Sequence, residues 1–215
     1  MSTAQYPTIG GKVRRSASQF QYAIIAVVLM SICPLRAMAQ DHDHAMMTQQ
    51  QLTPEQKRQQ GLLLQRVREA TERFQDVKEA EYEHYALTFG CVSGPDLGAM
   101  GLHYVNFGLV GTGVIDPAHP QIILYEPTPS GRPKITGADY LVDAAQWDSD
   151  PKHTGPPELM GQLFHYFEAP NRFHLNAFYT LHVWAWKDNP NGAFTNWNPN
   201  VSCASYVGPT NNDPQ

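Results

Sequence analysis

The spacing of apolar residues predicts one long amphipathic helix. Leu63, Val67, Ala70, Phe74 and Val77 recur every three or four residues, and charged residues occupy the rest of the surface. The preceding Thr-Pro-Glu-Gln sequence at residues 53–56 has the form of a capping box, with proline at the first helical position. These patterns predict a helix over residues 53–82 whose apolar stripe packs on the elements that follow.

From residue 85 the pattern changes to short runs of aromatic and β-branched residues separated by Gly, Pro, Asn and Asp. Six runs predict strands at residues 85–92, 102–107, 121–126, 134–141, 163–167 and 178–187. The predicted fold class is α+β, with the N-terminal helix followed by a mainly antiparallel sheet curled as a small barrel or half-barrel. A single globular domain is expected over residues 53–207, β-rich from 85 to 207, and a disordered tail over 208–215.

Residues 1–39 have the pattern of a secretory signal peptide. Lys12, Arg14 and Arg15 precede the apolar run 22–33, and residues 37–39 read Ala-Met-Ala, which fits a cleavage site. The apolar run is shorter than the ~20 residues that a membrane-spanning helix needs. We therefore expect a periplasmic or secreted protein that begins near Gln40 and has no stable membrane span after cleavage. An uncleaved anchor is the alternative.

Cleavage would change the charge of the chain. The leader carries four of the 15 Lys and Arg residues and none of the 20 Asp and Glu residues, which leaves 11 against 20 and a net charge of −9. Because nucleic acids and anionic membrane surfaces are bound through Lys and Arg, so acidic a chain disfavours both as partners.

The mature chain would begin with a polar linker over residues 40–52. It contains Asp41-His42-Asp43-His44 and two methionines, Met46 and Met47. Imidazole and thioether groups suit copper. The simpler interpretation is a solvated spacer.

The cysteines predict one disulfide. Cleavage removes Cys33 and leaves Cys91 and Cys203, an even number in an oxidising compartment. Their bond would tie the first strand to the C-terminal segment. Two cysteines so far apart disfavour a zinc–thiolate site.

The β-rich part contains three distinctive sequence motifs, two of them long. They are residues 90–92 (GCV), 99–106 (AMGLHYVN) and 181–203 (LHVWAWKDNPNGAFTNWNPNVSC), with shorter landmarks at 125–128 (YEPT) and 157–159 (PEL). In these segments the chain resembles a group of exported bacterial proteins of unknown function, over most of residues 85–203. The resemblance implies no activity, cofactor or substrate.

Four polar residues share a strand face with large apolar residues, if side chains alternate along each predicted strand. They are His103, Glu126, His165 and His182. A curled sheet could bring them together, and imidazoles with one carboxylate suit a divalent transition metal such as Zn, Cu, Fe or Mn. The alternative is that the histidines are core residues bonded to Tyr, Asn or backbone carbonyls, while Glu126 caps the turn before Pro127.

The C-terminal block 181–203 holds three of the four tryptophans, Trp184, Trp186 and Trp197. Such density marks either a ligand wall or a well-packed part of the core. Alternation would place Trp184 and Trp186 on the same face as His182.

The sequence gives little support for nucleophilic catalysis or phosphate binding, since it has no G-x-S-x-G motif and no phosphate-binding loop. The first hypothesis is therefore an exported protein that binds a small ligand or a metal. One alternative is a metal-dependent enzyme with His103, His182 and Glu126 as ligands and His165 as a ligand or general base. The other is a structural or interaction domain whose aromatic block is core.

Overall fold

A computed structural model describes residues 52–94 and 96–211. The predicted signal peptide and nearly all of the predicted linker lie outside the described residues. Within them, no helix combines the length and the apolar character needed to cross a membrane.

The N-terminal helix begins where the sequence predicts. Helix α1 spans Pro54–Thr71, and Thr53 caps it: its side chain accepts a hydrogen bond from the Gln56 amide, while its own amide donates to the Gln56 side chain. Leu63 and Val67 are buried, in agreement with the predicted stripe.

The helix is not continuous to residue 82. A 3-10 turn occupies Glu72–Gln75, and a separate helix α2 spans Val77–Tyr82. Two contacts account for the break. Tyr125 Oη donates to the carbonyl of Phe74 at 2.7 Å, and the Asp76 side chain caps α2 by accepting from the Lys78 amide at 3.1 Å. Phe74 and Ala80 stay buried, so the apolar periodicity does not reveal the interruption.

Each of the six predicted strands has a counterpart in the fold. The elements, in chain order, are β1 Ala86–Gly94, β2 Gly98–Val105, α3 Phe107–Val110, β3 Ile122–Glu126, β4 Lys134–Asp143, α4 Ala144–Ser149, β5 Glu158–Leu159, β6 Gln162–Leu163, β7 His165–Phe167, β8 Phe178–Val183 and β9 Thr210–Asn211. Within the described residues, one sheet has the order β7-β8-β4-β3-β2-β1-β9, and β5 and β6 form a separate ribbon. All pairs are antiparallel except β1 with β9. The sheet curls into a half-barrel, which confirms the predicted α+β class.

The two faces of the sheet bury different residues. Leu63 and Val67 of α1 pack on one face, against Tyr140, Leu181 and Val183. The other face carries a second apolar cluster made of Val105, Ile122, Leu124, Leu141 and Phe178, flanked by partly buried phenylalanines. Every second side chain of β2, β4 and β8 lies on this face. Among them are three buried polar residues, His103, Asp139 and His182, which form the candidate site.

The predicted disulfide is present. Cys91 on β1 is bonded to Cys203, across a sequence separation of 112 residues and with the two Cα atoms 5.7 Å apart. It ties the sheet to the segment after β8, as the cysteine count indicates.

The C-terminal prediction needs a correction. Residues 208–215 were expected to be disordered, yet Thr210–Asn211 form β9 beside β1. Arg172 explains this order, because its guanidinium donates to the Asn211 side chain at 2.8 Å and to the Asn211 carbonyl. The Asn211 amide group donates back to the Arg172 carbonyl at 2.9 Å. Residues 212–215 lie outside the described part of the chain.

Candidate metal centre

Three buried polar side chains meet on the sheet face opposite α1. They are His103 on β2, Asp139 on β4 and His182 on β8, and each residue is 2% exposed. Each offers one ligand atom, and these atoms all lie within 4.8 Å of one another. The two imidazole ring centroids are 5.7 Å apart.

Strand register and sheet curvature together produce this meeting. Asp139 lies directly opposite His182 on the neighbouring strand, which makes them a cross-strand pair. β2, however, is separated from β8 by β3 and β4. At ~4.8 Å between strands, a flat sheet would hold His103 about 14 Å from His182. The 5.7 Å between their ring centroids, much shorter than in a flat sheet, is therefore a result of the half-barrel curl.

Hydrogen bonds orient two of the three side chains. His103 Nδ1 lies 3.1 Å from the carbonyl oxygen of Gly101, to which it donates when it carries the proton, and this tautomer leaves the Nε2 lone pair free. Thr180 Oγ1 donates to Asp139 Oδ1 at 2.6 Å, while Oδ2 faces His182. Metal-binding imidazoles and carboxylates are commonly held in this way, by a backbone carbonyl or a neighbouring side chain on the atom that does not bind.

His182 is the most informative member of the group. Neither of its ring nitrogens has a hydrogen-bond partner among the described residues. Its Nδ1 lies 3.4 Å from Asp139 Oδ2, within ion-pair range but without hydrogen-bond geometry. A buried polar group without a partner costs about 1–3 kcal/mol. Two atoms bound to one tetrahedral ion at ~2.0–2.1 Å would lie about 3.4 Å apart, so the observed separation fits ligands of a shared ion.

Burial sets the charges of the group. It lowers the pKa of His103 to about 4, with a smaller contribution from His182, and it lowers the pKa of His182 to about 3. Burial also raises the pKa of Asp139 to about 6, although the hydrogen bond from Thr180 opposes the shift. At neutral pH the site therefore holds two neutral imidazoles and one carboxylate. These are the protonation states in which the groups bind metal ions.

These shifts predict that the metal-free protein loses stability between pH 6.5 and pH 4. In this range the unfolded chain protonates two imidazoles that the folded chain keeps neutral, so His103 and His182 lower the free energy of unfolding as the pH falls. Asp139 raises the free energy of unfolding as the pH falls, because its raised pKa lets the folded chain take up this proton at a higher pH than the unfolded chain does. Since two imidazoles act in one direction and one carboxylate in the other, the free energy of unfolding should fall by about 1.4 kcal/mol for each pH unit.

Urea unfolding with a chelator at pH 6.5, 5.5 and 4.5 measures this slope. The control is the double variant His103→Gln/His182→Gln, in which Asp139 is the one group of the three that still titrates and the rest of the chain is unchanged. The difference in slope between the two proteins should then correspond to about two protons. Parallel slopes would contradict the assignment of neutral imidazoles.

A small cavity lies beside the three side chains. Its volume is about 10 Å³, roughly the minimum for one water molecule. Its walls include four phenylalanines, Phe89, Phe167, Phe173 and Phe178, and among the described residues that line it only Thr180 is polar besides the site itself.

Glu126 does not join the group that the sequence predicts for it. Its Oε2 accepts a hydrogen bond from Lys187 Nζ, and its Oε1 accepts from the Ser202 amide at 3.0 Å. Glu126 is the last residue of β3, where the segment after β8 supplies both partners. The carboxylate therefore anchors that segment and lies outside the metal-site cluster.

His165 also lies outside the cluster. It pairs with Thr180 in the strand register, which places it on the same sheet face as the site. It belongs to the edge strand β7, however, and is exposed, with Nε2 3.3 Å from the carbonyl oxygen of Phe194. An edge position leaves the side chain in solvent even when its strand partner faces the site.

The prediction from sequence did not include Asp139, although this residue lies inside the predicted strand 134–141. It lies in the otherwise uncharged stretch from Ile135 to Val142, in a strand that packs between two others. A single ionisable residue in the middle of a buried strand requires a partner, which was the available signal.

The three tryptophans do not line one ligand wall. Trp184 is 3% exposed and packs with Ala99 and Val201. Trp197 lies under the Arg172 guanidinium at 5.5 Å. Trp186 faces away from His182 and donates to Thr71 Oγ1 on α1 at 2.9 Å, because β8 ends at Val183 and the alternation stops there.

Replacing Trp184 by alanine should destabilise the protein by about 3–5 kcal/mol, as truncation of a large core side chain does. Its indole also donates to the Thr195 carbonyl at 2.6 Å, which the variant leaves without that donor. Trp197→Ala is the control, since this side chain is partly exposed and should lose less. Urea unfolding of both variants checks the order, and equal losses would contradict it.

Comparisons of the chain with protein-family models, with curated proteins and with solved structures find no match. The resemblance to exported bacterial proteins stays a prediction, and a functional assignment has to rest on the site.

Proposed function

We propose that this protein is an exported metal-binding protein that holds one divalent transition metal on His103, Asp139 and His182. The observation that carries the proposal is His182, a buried imidazole beside a carboxylate and a second imidazole. Neither of its ring nitrogens has a hydrogen-bond partner in the part of the chain that the structure describes. A bound cation would supply the missing partner. Without one, the fold carries an uncompensated polar group in an apolar pocket.

The donor set narrows the choice of metal. Two imidazoles and one carboxylate suit Zn, Fe, Mn or Cu, whereas Mg and Ca prefer oxygen ligands alone. Export is supported by the predicted leader and by the disulfide, which forms and persists in oxidising compartments such as the periplasm or the extracellular space.

A metal-dependent enzyme is the second candidate, because three protein ligands leave coordination positions open. Catalytic zinc sites commonly have three protein ligands and one open position, while structural sites have four. In this alternative Asp139 takes the place that the sequence predicts for Glu126.

Metal analysis tests the proposal. The chain is expressed with its leader, recovered from the oxidising compartment and dialysed, and its metal content is measured before and after reloading with Zn(II), Fe(II) or Mn(II). We expect about one equivalent, with a rise in the unfolding free energy of about 2.7 kcal/mol at a free metal concentration 100 times Kd.

The linker histidines need a control. All measurements use the His42→Ala/His44→Ala variant in parallel, so that copper or zinc held by the linker is not counted. Metal content below about a tenth of an equivalent after reloading would overturn the proposal, since a preformed site of this kind should bind measurably.

A further inference from the structure

We infer that the ion keeps an open coordination position toward the phenylalanine-lined cavity, and that this position takes a small neutral molecule of two or three heavy atoms. The inference rests on the proposed function. It is carried by the shape and the chemistry of the space around the three ligands.

The four phenylalanines form a continuous cover over the site, which we call the phenylalanine cluster: Phe89, Phe167, Phe173 and Phe178. Phe173 is its centre, with ring centroids 5.1 Å from Phe89, 6.2 Å from Phe167 and 5.9 Å from Phe178. Phe89 and Phe173 also pack on the His103 imidazole, at 6.1 Å and 6.3 Å. A molecule that reaches the ligands from this side must pass these rings.

A second pocket lies on the outer side of the cluster. Its volume is about 110 Å³, and its walls share Phe89, Leu141, Leu175 and Phe178 with the inner cavity. A buried apolar cavity of about 150 Å³ holds benzene, so the outer pocket has room for a small molecule only. The shared walls mean that small side-chain movements would connect the two spaces.

The size of the inner cavity limits the ligand further. About 10 Å³ corresponds to a single water-sized body beside the three ligands. A peptide, a sugar or an aromatic compound does not fit there. A diatomic or triatomic molecule can place one atom there, on the ion, and extend its other atoms along the shared walls toward the outer pocket.

The lining favours a neutral ligand over an anion. A divalent ion with one carboxylate ligand keeps a net charge of +1 and attracts an anion. Against this attraction, an anion would lose its hydration among phenylalanine and leucine side chains, at a high cost in free energy. Asp143 and Asn176 line the outer pocket, so an approaching anion also meets a carboxylate. Arg172, whose charge acts on His103, does not line the cavity, and its guanidinium donates to Asn211 and to the Ser93 carbonyl.

The test uses two probes of similar size and different charge on the metal-loaded chain. Nitric oxide is added anaerobically to the Fe(II) form and followed by the EPR signal of the iron–nitrosyl complex, while azide is titrated into the Co(II) form and followed by visible absorption. We expect nitric oxide to bind in proportion to the iron content. Azide should leave the Co(II) spectrum unchanged.

Two pocket variants test whether nitric oxide reaches the ion through the outer pocket or by other paths. Leu175→Trp fills the shared wall and should slow nitric oxide association about tenfold, while iron content stays the same. Leu163→Trp is the matched control, because Leu163 is 61% exposed on β6, outside both pockets, and it should leave the rate unchanged. Phe173→Ala removes the centre of the cover and should speed association and admit azide.

The outcomes are distinguishable from failure of the proposed function. Absence of metal uptake defeats the proposed function itself. Full uptake without nitric oxide binding shows a closed coordination sphere and overturns the inference alone. Azide binding to the Co(II) form as readily as nitric oxide to the Fe(II) form would overturn the neutral class, and equal rates in Leu175→Trp and Leu163→Trp would overturn the route.

Discussion

Replacing His182 by glutamine is expected to abolish metal binding and to leave the fold intact. Glutamine fills much of the imidazole volume but is a poor ligand for transition metals, and loss of one of three protein ligands should weaken affinity more than the ~10–100-fold that loss of a supporting partner costs. The equivalent changes Asp139→Asn and His103→Gln should have the same effect. Isothermal titration with Zn(II) measures the affinities, and circular dichroism checks the fold.

Two matched controls come from the residues that the sequence alone proposed. His165→Gln changes a histidine on the same sheet face, and Glu126→Gln changes a carboxylate that is bonded to Lys187 and Ser202. Both should retain one equivalent of metal with nearly unchanged affinity. If they lose metal while His182→Gln keeps it, the ligand set of the proposal is wrong.

The stability of the metal-free protein gives an independent readout at His182. Since its two nitrogens lack partners within residues 52–94 and 96–211, His182→Leu should raise the free energy of unfolding of the metal-free protein by about 1–3 kcal/mol. If the variant gains stability and loses metal, His182 destabilises the metal-free fold and its role is to bind the metal. A clear loss of stability would instead indicate a core histidine with an unseen hydrogen bond, as the structural alternative holds.

Loss of the disulfide is expected to have the second large effect. The double variant Cys91→Ser/Cys203→Ser opens a loop of 112 residues, and its free energy of unfolding should fall by about 4–5 kcal/mol in the chain-entropy estimate. Urea unfolding of protein recovered from the oxidising compartment measures the loss. Alkylation and mass measurement, with and without reductant, should show two masked thiols in the parent protein.

Cys33→Ser is the control for the disulfide, because residue 33 belongs to the predicted leader and should be absent from the exported chain. It should leave stability and mass unchanged. A loss below about 1 kcal/mol in the double variant would mean that the bond contributes little, since the removal of a native disulfide typically costs more.

Much of the fold was predictable because local patterns report local hydrogen bonding. The capping sequence at residues 53–56 marks the start of α1 without reference to any other part of the chain. The six β-rich runs each correspond to a strand, and the even cysteine count paired Cys91 with Cys203. Alternation also assigned His103 and His182 correctly to buried positions, because side chains in a strand point to opposite faces in turn.

Alternation fails where a strand ends or reaches the edge of the sheet. Trp186 lies after the end of β8 and packs on Thr71, and His165 lies on the edge strand and is exposed. The break before α2 and the order of β9 depend on Tyr125 and Arg172, which are distant in sequence from the residues that they hold. No local pattern contains this information.

The sequence by itself therefore determined the start of α1, the six β-rich runs that form strands, the disulfide pair and two of the three candidate ligands. Only the tertiary structure decided that the carboxylate is Asp139, because the choice depends on which strand lies beside β8 and in which register. Only the curl of the sheet brings His103 across two intervening strands to His182. The physical reason is that alternation fixes the face on which a side chain lies, whereas strand order and curvature, set by packing over the whole domain, fix which side chains on that face meet.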